Sequence, residues 1–145
     1  MQVDTTRFGT ITIDEHKIIT MPLGMLGFPD EKRYVIVQHK ENSPFFWYQS
    51  VDDPALAFVI TSPFFFVPDY SVPLDDAIKE MSWDEEEVGD KVELYVVVNI
   101  PNGSPNEMTA NLIGPILVNT ETFQALQMVV TDSPYSHRFP LLKDD

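Results

Sequence analysis

Apolar and polar side chains alternate along much of this chain, and a period of two marks strands with one buried face. Over 8–13 the bulky members are Phe8, Ile11 and Ile13, with Gly9 as a local kink. The stretch 16–21 reads as its returning strand, stopped by Pro22. A loop follows over 24–30, where Gly24 and Gly27 supply unusual backbone angles and Met25, Leu26 and Phe28 are expected to tuck inward. Strands are predicted over 33–39, 45–50 and 57–61, joined by turns at 41–44 and 52–54. Turns that short between successive strands make an antiparallel meander.

The run 63–68 places three phenylalanines between Pro63 and Pro68. Proline cannot donate to a sheet ladder, so this piece is an edge strand or a packed loop. Helical spacing occurs only in the middle of the chain. Leu74, Ala77, Ile78 and Met81 fall on one face of a short helix, with Pro73 in its first turn. Ser82 and Glu85 fit a capping box for a second short helix over 83–88, which Gly89 can end. Helices this short need a sheet to dock on. The longest strand is predicted over 91–100, followed by a loop at 101–106. A strand with a bulge at Gly114-Pro115 spans 109–118, a last strand spans 123–130, and the tail from 131 is irregular.

The expectation is a mainly β fold: a small, antiparallel, β-barrel-like single domain over 1–145 with two short helices. Alternation by itself does not separate a barrel from a sandwich. With 145 residues, 43% of them hydrophobic, one core is the natural size. The chain has no cysteine, which excludes disulfides, thiolate metal sites and a cysteine nucleophile. Its first residues carry neither the basic start nor the apolar run of a signal peptide. No stretch approaches the roughly 18–20 apolar residues of a membrane helix, so a soluble, cytoplasmic protein is expected. There are 23 acidic residues against 9 Lys and Arg, a net charge of -14. Direct nucleic-acid binding needs the opposite balance, whereas an acidic surface steers basic partners.

Chemistry has few places to sit. His16, His39 and His137 are far apart in sequence, and none has a second ligand at metal spacing. Asp52-Asp53 and Asp75-Asp76 suit turn and helix-start duties better than an acid/base pair, because adjacent strand side chains point apart. The run 84–87 lacks the spaced ligands and glycine of a calcium loop; it reads as a solvated helix start or a landing site for a basic peptide. Phe45, Phe46, Trp47 and Tyr48 alternate faces and read as core rather than as a base-stacking platform. Phe64, Phe65 and Phe66 cannot all face one core, and one exposed beside Tyr70 would anchor a partner. No metal and no cofactor are implied.

Four ordered segments carry a family likeness. The first, 18–28, contains Met21-Pro22-Leu23-Gly24-Met25-Leu26-Gly27-Phe28; the others are 43–60, 63–70 and 109–119. Together they resemble the flagellar assembly factor FliW family, with one departure, Gly114 in place of an expected Ala. The resemblance runs from about Thr5 to Tyr135. It implies a small barrel-like protein without enzymatic activity that binds flagellin near its C-terminal region in the bacterial cytoplasm. It further implies binding to the RNA-binding translational repressor CsrA, away from its RNA surface, in competition with flagellin. Secretion of flagellin would then free the protein to capture the repressor, and translation of flagellin mRNA would resume.

The shared surface is expected on an exposed sheet edge beside the proline-rich aromatic segment, with Phe65, Asp69, Tyr70, Asn99 and Asn111 as candidate contacts. Two other classes stay open on sequence grounds. A small-ligand carrier would need a hollow, Phe-lined barrel, although the many large aromatics argue for a filled one. A hydrolase would need carboxylates or a histidine brought together by the fold with a shifted pKa.

Overall fold

The first residues of the chain form a hairpin. Strand β1 (Gln2–Thr5) pairs antiparallel with β2 (Gly9–Thr12), burying Val3 and Thr5. The alternation at 8–13 thus makes a strand, but its partner is β1 and not 16–21. Asp14 accounts for the difference. Its carboxylate accepts a hydrogen bond from the His16 amide at 2.9 Å and opens a 3-10 turn, Glu15–Lys17. The turn redirects the chain, and β3 (Ile19–Thr20) enters the main sheet instead. The computed structural model describes residues 1–38, 43–83, 91–100, 107–130 and 134–141.

The main sheet is built on a meander. Strands β4 (Arg33–Gln38), β5 (Phe45–Ser50), β6 (Ala57–Thr61) and β7 (Val92–Asn99) pair antiparallel in sequence order. The predicted strand at 109–118 divides in two. Strand β8 (Thr109–Ala110) pairs with the end of β7, and β9 (Ile116–Asn119) pairs with its beginning. Between them the Asn111 carboxamide oxygen accepts from the Ile113 amide at 3.1 Å, so the interruption is a full turn rather than a bulge. Strand β10 (Gln124–Gln127) returns antiparallel to β9 and meets β3 in parallel at Gln124 and Thr20. That join closes a ring β3-β4-β5-β6-β7-β9-β10, antiparallel everywhere except between β10 and β3. The tail expected to be irregular contributes β11 (Phe139–Pro140), an edge strand on β8. Proline is tolerated at such an edge.

One face of each ring strand supplies a shared cluster. Ile19, Tyr34, Tyr48, Ile60, Ile116 and Ala125 belong to it, and partly buried Tyr95 and Val97 pack against it from β7. A cluster that draws on every strand of a closed ring is its interior, so the barrel is filled with side chains. The Tyr34 and Tyr48 rings stack there at 4.5 Å, nearly parallel, worth about 0.5–1.5 kcal/mol beyond the area they bury.

The outer face is covered in two places. Tyr70, Val72 and Leu141 pack with Val96, Val98, Ala110 and Leu112 on one side. Helix α1 (Asp75–Met81) covers the other, where Ala77 and Trp83 meet Leu117 and Leu126. The predicted helical face therefore docks, but its termini differ. Leu74 is the N-cap, which leaves Pro73 outside the first turn. Ser82 ends α1 with a left-handed φ of 55°, which is not the extended backbone of an N-cap. The rest of the second helix, Glu85 of its capping box, the loop at 101–106 and His39 lie outside the described residues.

Candidate partner-binding surface

The proline-bounded phenylalanines form a packed loop, one of the two expected outcomes. Pro63 opens a 3-10 turn, Pro63–Phe65, and its carbonyl accepts from the amides of Phe66 (3.1 Å) and Val67 (2.8 Å). A further bond from the Tyr70 amide to the Val67 carbonyl at 2.9 Å tightens the segment. This winding sends the aromatics in different directions. Phe66 stacks inward on Phe45 at 6.3 Å. Phe64 rests edge-on against Tyr70 yet stays largely exposed, and Phe65 is 62% exposed.

The other expected contacts divide by burial. Asp69 is exposed beside this turn. Tyr70 is only 4% exposed: its hydroxyl donates to the Leu112 carbonyl at 2.6 Å and its ring lies against Tyr135 at 4.7 Å. Burial first, and Tyr135 second, push its pKa up. Tyr70 therefore supports the surface from beneath, while Phe64 takes the exposed position next to it. Asn99 is exposed at the far end of β7, in a cavity of about 520 Å³ bordered by Trp47 and Arg7. The Arg7 guanidinium sits 4.2 Å over the Trp47 ring there. Asn111 is half-buried in the turn after β8, and its amide donates to the Val97 carbonyl at 2.9 Å. The five residues thus do not form one patch: Phe65 and Asp69 lie on the 63–70 segment, and Asn99 and Asn111 beside the end of β7.

A groove of about 330 Å³ runs between Phe64 and Phe65 on one side and the start of β7 on the other. It exposes the backbone edge of β7. Odd-numbered residues of β7 turn their peptide groups toward β8 and β9, since the Thr120 amide donates to Lys91 O (2.7 Å) and the Asn111 amide to Val97 O. Even-numbered residues therefore face the opposite side. There Val96 and Val98 meet Thr61 and Val59 of β6. On this side Val92 and Leu94 have no strand beside them among the described residues, their only strand neighbour being β9 on the other. In the β6–β7 register Pro63 would stand opposite Leu94. It has no N–H, and its carbonyl is already engaged within the 3-10 turn.

The same groove breaches the barrel wall. Phe46 and Tyr95 from the inner face and Val92 and Leu94 from the outer face all border it. Glu93 is exposed there, and its carboxylate accepts from the Tyr95 hydroxyl at 2.6 Å. Burial and this bond raise the Tyr95 pKa. Sequence reading did not find this open edge, although a signal existed. Strand β6 has five residues before Pro63 and β7 has eight, so part of β7 must outrun its neighbour.

A second apolar exposure lies in the loop at 24–30. Met25 is buried as expected, but Leu26 is 54% exposed and Leu23 and Phe28 are also largely exposed. The Leu26 amide donates to the Gln127 side chain at 2.9 Å, which fixes the loop to β10.

Among the described residues no group of three or more His, Cys, Asp and Glu is placed to hold a metal ion. Asp52 is ion-paired with Arg33, whose hydrogen bond lowers the Asp52 pKa, the opposite of what a general acid needs. Asp53 caps its own turn through the Ala55 amide at 3.0 Å, as expected of a turn residue.

A family model described as "FliW protein" matches residues 2–141. The chain belongs to the FliW family. Proteins named "Flagellar assembly factor FliW" from Magnetococcus marinus and Syntrophus aciditrophicus are 40% and 41% identical to it, each over 99% of this chain and 86% and 89% of their own length. One from Geobacter sulfurreducens is 42% identical over 97% of this chain and 86% of its own. A crystal structure of the flagellar assembly factor FliW superposes with a TM-score of 0.87 at 30% identity, covering 99% of both chains. Gly114, the one departure noted from the FliW pattern, is buried. A Cβ there would stand 2.8 Å from the Asn111 side-chain nitrogen Nδ2, so the departure bears on how the β8–β9 turn packs.

Proposed function

We propose that this chain is a cytoplasmic flagellar assembly factor that works by binding proteins rather than by catalysis. It binds flagellin near its C-terminal region. When flagellin is exported it is freed, binds a CsrA-type translational repressor away from the RNA surface, and antagonises it. Membership of the FliW family over 2–141 carries this reading.

Charge supports it. A repressor that grips RNA is basic, and this chain carries a net charge of -14. No helix among the described residues is long and apolar enough to cross a membrane. The exposed ring of Phe65 with Asp69, and the Asn99 and Asn111 end of β7, are the surfaces assigned to partners in this reading, with Tyr70 beneath them. Partner switching asks little energetically, since a tenfold preference for flagellin needs only about 1.4 kcal/mol.

Titration of the purified chain with flagellin and with the repressor, separately and together, at two salt concentrations tests the reading. The expected result is repressor binding that weakens with added salt and is displaced by flagellin. Binding to neither folded partner would overturn it.

A further inference from the structure

We propose that the open edge of β7 at Val92 and Leu94 receives an extended segment of the basic partner by strand addition, with the exposed phenylalanines of the 3-10 turn gripping its side chains; this rests on the protein-binding function proposed above.

Three observations converge on one occupant. The first is the backbone. Val92 and Leu94 both present N–H and C=O to the side where Pro63 has ended β6. An incoming strand gains about four backbone hydrogen bonds from these two residues. Only an extended chain matches that spacing, because peptide groups on one side of a strand repeat every second residue.

The second is the neighbouring apolar surface. Phe64 and Phe65 are exposed beside the edge, although the same turn sends Phe66 onto Phe45, where it is partly buried. An exposed aromatic pair flanking backbone that has no partner on this side among the described residues offers side-chain contact to whatever occupies the edge. Edge strands of monomeric proteins are commonly blunted by lysine, proline or a covering segment. Here proline follows the neighbouring strand, in the 3-10 turn that ends it, and leaves this part of β7 without a partner strand on that side among the described residues.

The third is charge. Glu93 is exposed in the groove, and neither lysine nor arginine is among the described residues bordering it. Set in a chain of net charge -14, this edge favours a segment in which an apolar residue is flanked by Lys or Arg.

Amide hydrogen exchange read by NMR separates strand addition from other modes of binding. In the free protein the Val92 and Leu94 amides exchange faster than those of Val96 and Val98, which are paired with β6. Saturation with the repressor, its binding first established by titration, slows both amides by about tenfold or more, while Phe65→Asp weakens repressor binding by about tenfold without lowering Tm. Leu26→Asp, on the separate exposed loop, leaves repressor affinity unchanged. Repressor binding that leaves Val92 and Leu94 exchange unaltered overturns strand addition but leaves the proposed function standing. Slow exchange of both amides already in the free protein also overturns it, because the edge would then be covered by this chain itself. Absence of repressor binding with flagellin binding intact overturns this occupant alone, and absence of both overturns the proposed function as well.

Discussion

Tyr70 and Tyr48 are both buried, yet their hydroxyls stand in opposite situations. The Tyr70 hydroxyl donates to the Leu112 carbonyl at 2.6 Å, tying the 63–70 segment to the turn after β8. The Tyr48 hydroxyl, inside the barrel, has no hydrogen-bond partner among the described residues. A satisfied buried hydroxyl contributes about 0.5–1.5 kcal/mol, whereas an unsatisfied one costs about 1–3 kcal/mol in lost hydration. Tyr70→Phe is therefore expected to destabilise by about 1 kcal/mol. Tyr48→Phe is expected to be neutral or stabilising, since it keeps the ring that stacks on Tyr34. Urea unfolding midpoints check both, and a larger loss at Tyr48 than at Tyr70 would contradict the account. Tyr70→Ala is a poor probe of partner contact for the same reason. It empties a buried site, at about 3–5 kcal/mol for a large aromatic, and disturbs the fold before any interface.

The loop at 24–30 shows how an element can be recognised while its orientation is not. Gly24 has φ +68°, and a Cβ there would lie 2.6 Å from the Phe28 carbonyl oxygen and 2.7 Å from Pro29 Cα. Both neighbours are backbone and cannot step aside cheaply. Gly27 also has positive φ, but open space surrounds the position its Cβ would take. Gly24→Ala should thus cost more than Gly27→Ala, which bears only the left-handed backbone penalty of about 1–2 kcal/mol. Thermal unfolding of the two variants measures the difference, and equal losses would refute the close approach. The glycines announced the turn, but hydrophobicity did not say which way Leu26 and Phe28 would point. Strands β5 and β6 were legible to the residue because Pro44 and Pro54 punctuate dense runs of aromatic and β-branched residues. Strands β1 and β11 were not. Each is too short to show a period, and each exists through pairing fixed by the rest of the fold. Sequence reading placed Phe65 and Asp69 at the surface but not Tyr70's burial, which depends on a carbonyl 42 residues away. The open edge of β7 was written only as a difference in length between two neighbouring strands.

At the scale of the molecule, folding buries phenols in apolar surroundings, Tyr34, Tyr48 and Tyr95 inside the ring and Tyr70 on its outer face, and this sets how the protein responds to alkali. Burial raises the pKa of Tyr34 to about 12, with the Glu31 and Asp53 charges adding to the effect. Burial likewise raises Tyr48, with neighbouring Tyr34 and Tyr95 contributing, and it raises Tyr70 and Tyr95. In the unfolded chain all four titrate near the ordinary value of 10.0. The folded state therefore holds protons that the unfolded state releases, and linkage makes stability fall as pH rises. The contribution is complete below about pH 10 and declines above it, by up to about 1.4 kcal/mol per pH unit for each tyrosine that stays protonated only when folded. For Tyr34 the decline continues until its folded-state pKa of about 12 is passed. Each phenolate formed also adds negative charge to a chain already at -14, which further opposes the compact state. Urea midpoints should hold steady from neutral pH to about pH 10 and then drop steeply, while phenolate absorbance of the native protein lags behind that of the urea-unfolded chain. Coincident absorbance titrations of the folded and unfolded chains would show that these tyrosines do not sense their burial, and the alkaline loss would then need another cause.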